Sequence, residues 1–266
     1  MGQGKRHESA ELLSIMLFGF LLRLYVGRQS LTENGLLPVG FDEYYHLRRI
    51  LYTVHNFPNT LWFDSYLNYP HGLALTWPPL FDQLLAAISL MLGQHSQGGV
   101  EMVSALLPAV MGALTIAVVY YLSRELFGRN IALLSALMVA IAPWHITRTM
   151  LGATDHHCLE ILLDVAALLF VVLALSRRER MYFFAVAAGV ILAALAYTWL
   201  GSDIYLGIFL VYAAVQMTLD LKNRESSKNT TTTLLVAIGV AIVLMLPFSS
   251  AVWLRPSFLG AAFIFI

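Results

Sequence analysis

What this chain can fold into is constrained most by its uninterrupted apolar runs, at 10–28, 100–122, 130–149, 157–176, 181–200, 203–220 and 231–252. A helix needs roughly 20 apolar residues to cross the hydrocarbon core of a bilayer. Inside lipid, every backbone N–H and C=O must find its partner within the spanning structure. Each run therefore reads as a transmembrane helix. A transmembrane β-barrel would instead show alternating segments of about ten residues. An eighth apolar run starts near 257 and reaches the end of the chain. With 59% hydrophobic and 12% charged residues among 266, a soluble domain could not keep this much apolar surface out of water. The expected fold is all-α, a polytopic transmembrane helical bundle of seven to eight spans.

The stretch 80–93 (LFDQLLAAISLMLG) is shorter, about 14 residues, and contains Asp82. At that length an interfacial or re-entrant helix is expected rather than a span. The charges test this count. The N-terminus and the loops 123–130, 176–180 and 221–229 hold Lys5, Arg6, Arg124, Arg129, Arg177, Arg178, Arg180, Lys222, Arg224 and Lys228, ten of the sixteen basic residues. Seven spans, with 80–93 not crossing, put all four segments on one side, which the positive-inside rule assigns to the cytoplasm. The opposite side then receives a long first loop, 29–99, and the turns around 150–156 and 201–202. The first loop is rich in Trp, Tyr, Pro and Asp, which fits an ordered surface loop. Lys5 and Arg6 precede the first run without a small-residue cleavage site, the pattern of a retained signal anchor. The sequon Asn229-Thr230-Thr231 falls on the cytoplasmic side and is expected to stay unmodified. The zero net charge gives no case for nucleic-acid attraction, and the single Cys158 excludes a disulfide framework.

Two motifs on the outer face can carry chemistry. GFDEYYHLRRI, residues 40–50, sets the adjacent carboxylates Asp42 and Glu43 beside two tyrosines just after span one. Carboxylates there can hold a divalent ion or act as bases. RTMLGATDHHCLE, residues 148–160, clusters Asp155, His156 and His157 between spans three and four. Carboxylate plus imidazole suits Mn²⁺, whereas Mg²⁺ favours oxygen alone. Together the motifs can supply Asp42, Asp155 and His157 to one metal site. A third stretch, NYPHGLALTWPPLFD at 68–82, fixes irregular backbone through Pro70, Pro78 and Pro79 and turns at Gly72. His71 reads as a surface residue and Trp77 as an interfacial anchor. Arg23, Asp82, Asp164 and Asp203 are further charges near apolar spans, and Tyr197 and Trp199 fit an aromatic belt.

These residues resemble the catalytic subunit of oligosaccharyltransferase in its single-subunit archaeal and bacterial forms. GFDEYYHLRR looks like the family's first Asp motif, NYPHGLALTWPPLFD like its YP-x-G…WPPL stretch, and ATDHH like its second motif in the Asp-x-His version. Their order and span positions also match. The resemblance implies a metal-dependent glycosyltransferase that moves an oligosaccharide from a polyprenyl (pyro)phosphate to Asn in Asn-x-Ser/Thr. It implies Asp42 as metal ligand and amide contact, Asp155 and His157 as metal ligands, and a role for Arg148 upstream of the second motif. The cofactor would be Mn²⁺ or Mg²⁺. The partners would be the lipid-linked oligosaccharide, an acceptor polypeptide and membrane lipid, at the cell (plasma or inner) membrane with the active face non-cytoplasmic.

Family members are far longer. The Trp-Trp-Asp-Tyr-Gly motif that grips the acceptor Ser/Thr and the later loop whose Glu completes the metal site are absent from these 266 residues. Residues 1–266 are expected to be the N-terminal part of a transmembrane catalytic domain, inactive alone. O-mannosyl and aminoarabinose transferases also carry an Asp-Glu pair after span one, and a transporter could use intramembrane carboxylates such as Asp164. Both readings stay open at this level.

Overall fold

The computed structural model describes residues 2–33 and 35–248, so the apolar run near 257 and the end of the run 231–252 lie outside the described residues. The fold is mostly helical. Ten α-helices follow one another: α1 (Gly2–Gly27), α2 (Asp42–Asn56), α3 (Leu80–Met91), α4 (Gln97–Phe127), α5 (Arg129–Ile141), α6 (Pro143–Thr149), α7 (His157–Ser176), α8 (Met181–Ala196), α9 (Asp203–Asn223) and α10 (Lys228–Met245). Among the described residues six helical segments are long and apolar enough to cross a membrane, and α5 with α6, bent by 60°, brings the number to seven if the pair is one span. The protein is a multi-pass membrane protein. The short helix α3 falls where the sequence places a non-crossing one.

Two compact units divide the chain, residues up to 75 with 79–162, and residues 76–78 with 163 onward. In the first, α1, α4 and α5 pack on one another. Their core joins Leu12, Ile116 and Tyr120 to Ala132, Ala136 and Ala140. The three alanines recur every four residues and form one flat stripe on α5. Lipid gives no hydrophobic drive between helices, so close approach over small side chains does this work. The outward side of α1 keeps Leu13, Leu17, Leu21 and Tyr25 exposed, as a lipid-facing surface does. At one end of this bundle Glu8 pairs with Arg124 (2.6 Å) and Tyr120, and Glu11 pairs with Arg129. The N-terminal end of α1 and the α4–α5 turn thus share a side, as the charge count predicts.

The predicted single span 130–149 is broken. Pro143 has no N–H to offer the Val139 carbonyl, so the α-helical ladder stops at Ala142. Arg23, fully buried, takes up the orphans. Its guanidinium donates to the carbonyls of Val139 (3.4 Å), Ala140 (3.3 Å) and Gly19 (2.7 Å), and to His145 Nδ1 (2.6 Å). Gly112 on α4 leaves it room, because a Cβ there would sit 2.8 Å from Arg23 Cδ and 2.7 Å from Thr149 Oγ1.

Between α1 and α4 the described residues form an ordered arrangement, as expected. Two antiparallel two-stranded pairs, β1 (Leu31–Thr32) with β2 (Gly35–Leu36) and β3 (Phe63–Asp64) with β4 (Leu73–Ala74), accompany α2 and α3. Gly72 has φ +73°, and a Cβ there would strike the Phe63 ring, so the turn needs glycine. In the second unit α8 and α10 pack through Ala188, Ala193, Ala237 and Ala241. A Cβ on Gly189 would meet the Ala237 carbonyl at 2.5 Å, so these two helices touch almost backbone to backbone.

Candidate functional site

The motif at 40–50 is a helix start rather than an open loop. Asp42 and Glu43 occupy the first turn of α2, where the helix dipole favours negative charge. The helical period then separates them. Glu43, His46, Leu47, Ile50 and Val54 share the buried face, while Asp42 is exposed. Asp42 makes no hydrogen bond or ion pair among the described residues. Burial pushes the Glu43 carboxyl above its ordinary pKa, and the charges of Asp155 and Asp42 push the same way. Glu43 therefore lies within the field of both acidic motifs.

The second motif forms the centre. Beyond the helix break, α6 ends at Thr149 and the chain turns tightly, with Gly152 N–H on the Ala105 carbonyl (3.0 Å) and Thr154 Oγ1 on the Ser104 carbonyl (3.0 Å). These bonds to α4 hold Asp155, which is 4% exposed, just before α7. Its two oxygens face different partners. Oδ2 lies 3.8 Å from Arg148 Nη1 and 3.8 Å from His157 Nε2. Oδ1 lies 2.7 Å from His156 Nδ1 and 3.4 Å from His46 Nε2. The structure thus brings Asp155, His157 and Arg148 together.

Both outer histidines of this group are backed by a carboxylate. His157 Nδ1 is 2.5 Å from Glu160 Oε2, one helical turn on. An ionised carboxylate only accepts, so Nδ1 carries the proton and Nε2 is left toward Asp155. His46 Nδ1 is 2.6 Å from Asp82 Oδ1. Asp82 in turn forms an ion pair with Arg49, Nη1 to Oδ2 at 2.8 Å, whose geometry is that of close charges rather than an aligned hydrogen bond. Arg49 and Asp82 are fully buried and His46 is 2% exposed. Burial pulls the His46 imidazole down, but Asp82 and Asp155 outweigh it and bring it up to about 9. Burial likewise pushes Asp155 up, but its contacts with His156 and His46 win and hold it well below the usual carboxylate range.

Among the described residues two groups of donors are spaced to hold a metal ion, His46 with Asp155 and His156, and His156 with His157 and Glu160. Sequence reasoning named Asp82 only as a charge near an apolar run, and missed His46, Arg49 and Glu160. The signal for His46 was its place three residues after Glu43, one turn along the same face. His71 is exposed in its turn, and Trp77 is half-buried. Tyr197 donates its hydroxyl to the Leu244 carbonyl at 2.7 Å.

Fold and site define a class: a multi-span helical membrane protein with a carboxylate–imidazole–guanidinium centre just beyond a broken span. Residues 15–266 match the family described as Oligosaccharyl transferase STT3, N-terminal, and the chain belongs to that family. It is similar to the dolichyl-phosphooligosaccharide-protein glycotransferase 1 of Archaeoglobus fulgidus, 31% identical over 207 residues, which are 77% of this chain and 32% of the relative. The chain therefore spans about a third of that relative's length. The crystal structure of an Archaeoglobus fulgidus oligosaccharyltransferase tethered with an acceptor peptide containing the NVT sequon matches with a TM-score of 0.86 and 28% identity, over 92% of this chain and 30% of that one. The structure of the A. fulgidus enzyme in complex with Zn and sulfate gives a TM-score of 0.82 and 28% identity, over 90% and 31%.

Proposed function

We propose that the protein is an oligosaccharyltransferase. It moves an oligosaccharide from a polyprenyl-(pyro)phosphate carrier to the side-chain amide of Asn in Asn-x-Ser/Thr, and residues 1–266 are the N-terminal part of its transmembrane catalytic domain. One observation carries this reading: buried Asp155 sits with His157 and Arg148 on one oxygen, in the Asp-x-His motif of a chain of this family. The dolichyl-phosphooligosaccharide donor in the relative's name and the NVT peptide on the similar structure support the same donor and acceptor classes. Membership of this family favours an amide acceptor over hydroxyl acceptors and over transport.

The proposed cofactor is a divalent ion, Mn²⁺ or Mg²⁺, with Asp42, Asp155 and His157 as its ligands on this chain. Asp155 and His157 lie together as such an ion needs, while Asp42 is outside both groups of donors spaced for one. Glu160 takes the proton-bearing side of His157 and leaves Nε2 toward Asp155. His156 Nε2 is buried without a hydrogen-bond partner among the described residues. Asp42 and Asp155 both act electrostatically on Glu43, a repulsion that a cation relieves. Mixed nitrogen and oxygen donors favour Mn²⁺ over Mg²⁺, and the similar structure in complex with Zn supports a divalent ion as the class of cofactor. When bound, the ion offsets charge developing on the departing phosphate.

The chain's own residues do the rest. An amide nitrogen is a poor nucleophile because its lone pair is delocalised. Exposed Asp42 can accept the amide N–H groups of an incoming Asn and weaken that delocalisation. Asp155, held ionised, keeps a negative centre between Arg148 and His157. Arg148, with 42% of its side chain exposed and its guanidinium over the Trp144 ring at 5.5 Å, presents a fixed cation to phosphate oxygens. We place the protein in the plasma or inner membrane, with this centre and the segment 29–99 on the non-cytoplasmic face.

Membranes carrying a full-length protein that includes residues 1–266, given lipid-linked oligosaccharide and an Asn-x-Thr peptide, should form glycopeptide only with a divalent ion. Asp42→Ala, Asp155→Ala and His157→Ala should each abolish it. Transfer to a peptide lacking Asn would overturn the reading, and a wild-type rate in one variant would remove that residue from the site.

A further inference from the structure

We propose that His46 is a positioning residue for Asp155: the buried series Arg49–Asp82–His46, drawn from α2 and α3, locks the Asp155 carboxylate so that Oδ2 faces Arg148 and His157. Asp82 is 36 residues beyond His46, and Asp155 a further 73, so the series is built by tertiary packing.

The terminal torsion of an aspartate is soft and nearly two-fold, so partners decide which oxygen faces which way. On the Oδ1 side, His46 Nε2 lies 3.4 Å and His156 Nδ1 2.7 Å from the carboxylate, and His46 Nε2 also holds His156 Nδ1 at 3.1 Å, so His46 acts on Oδ1 by its charge and through His156. His46 itself cannot turn. Its Nδ1 is held by Asp82 at 2.6 Å, and the Phe81 ring meets its plane edge-on, with centroids 5.1 Å apart and 81° between planes. Asp82 is held in turn by Arg49 at 2.8 Å.

Stability does not explain this arrangement. Desolvating an Arg, an Asp and a His is costly, and well-packed apolar residues of similar volume often serve stability as well or better. The series does fix a direction. A carboxylate-backed histidine commonly sets the geometry of a site it faces. Here it acts from the Oδ1 side, opposite the oxygen that faces Arg148 and His157.

The chain carries its own reporter. Cys158, its single cysteine, is buried, and its Sγ contacts the Asp155 carbonyl oxygen at 3.1 Å. Thiol labelling of the detergent-solubilised chain therefore reads local opening of the Asp155 turn, with melting temperature recorded alongside to separate local from global opening. The second readout is affinity for Mn²⁺ alone, measured from the electron paramagnetic resonance of the free ion. This arm rests on the function proposed above; the labelling arm does not.

His46→Leu keeps volume but removes both ring nitrogens. It should label about tenfold faster or more and bind Mn²⁺ roughly 10–100-fold more weakly. His46→Gln keeps a donor where Nε2 stood and should stay close to wild type in both. A filler role would make Leu and Gln alike, so indistinguishable variants, or a Leu variant labelling at the wild-type rate, overturn the proposal. If the wild-type chain takes up no Mn²⁺, the functional reading fails, and the order of Gln and Leu in labelling still decides this one. Should His46→Leu fail to fold, Asp82→Asn removes the charge opposite Arg49 and should also speed labelling. An unchanged rate there overturns the proposal.

Discussion

Arg23 donates its Nε–H to the Thr149 hydroxyl at 2.8 Å, across 126 residues of sequence and between two different spans. Thr149 ends the short helix that carries Arg148, so this bond ties the site's approach to the first span. The same guanidinium covers the carbonyls of Val139 and Ala140 left open by Pro143. Arg23→Leu should cost ~1–3 kcal/mol for each carbonyl left without a donor, and more where lipid surrounds it. Unfolding by denaturing detergent should show the loss. Gly112→Val should be comparably damaging, because its side chain would occupy the space of Arg23 and Thr149.

The break at Pro143 was not read from the sequence. Hydropathy averages over a window, so 130–149 reads as one span although Pro143 lies inside it; the covering Arg23 stands more than a hundred residues earlier. The spans were legible because length and apolarity are local properties. Asp155, His157 and Arg148 were legible for the same reason, lying within ten residues on one turn. The series Arg49–Asp82–His46 was not, since it depends on α2 meeting α3. The helical period of α2 also decides that Glu43 turns inward and Asp42 outward, which adjacency alone cannot tell.

Glu160 fixes His157 through Nδ1 at 2.5 Å. Removing its charge should free the ring without removing a donor nitrogen. Glu160→Gln is expected to weaken Mn²⁺ binding by roughly 10–100-fold, measured by titration calorimetry. Asp155→Ala should abolish binding in the same assay. A Glu160→Gln affinity equal to wild type would remove Glu160 from the support of the site.

Asp64 anchors the first-loop hairpin. Its side chain, 1% exposed, accepts from Arg48 Nε (2.8 Å), Tyr45 Oη (3.1 Å) and the Tyr66 backbone N–H (2.9 Å). The Arg48 hydrogen bond leads in holding its pKa below the ordinary carboxylate value of 3.8. The sign follows from linkage. A group depressed on folding stabilises fully above its unfolded pKa, and the contribution is lost as pH falls through the folded one. The wild-type chain should therefore lose melting temperature below about pH 4 more steeply than Asp64→Asn. Above pH 5 the variant should be the less stable of the two. Parallel curves would show that the carboxylate charge does not hold the hairpin.

Membrane sidedness follows from whether α3 crosses. Glu8 with Arg124 and Glu11 with Arg129 put the start of α1 beside the α4–α5 turn. With α3 not crossing, Asn59 and His95 lie on one side of the membrane and Asn130 on the other. In a Cys158→Ser background, Asn59→Cys and His95→Cys should react with an impermeant thiol reagent applied to intact cells. Asn130→Cys should react only after permeabilisation. If His95→Cys instead reacts only after permeabilisation while Asn59→Cys and Asn130→Cys react from outside, α3 spans the bilayer. The α4–α5 turn would then lie on the outer face, opposite the N-terminus, against the distribution of Arg and Lys. If Asn130→Cys alone is labelled from outside, the whole orientation is inverted and the Asp155 centre faces the cytoplasm.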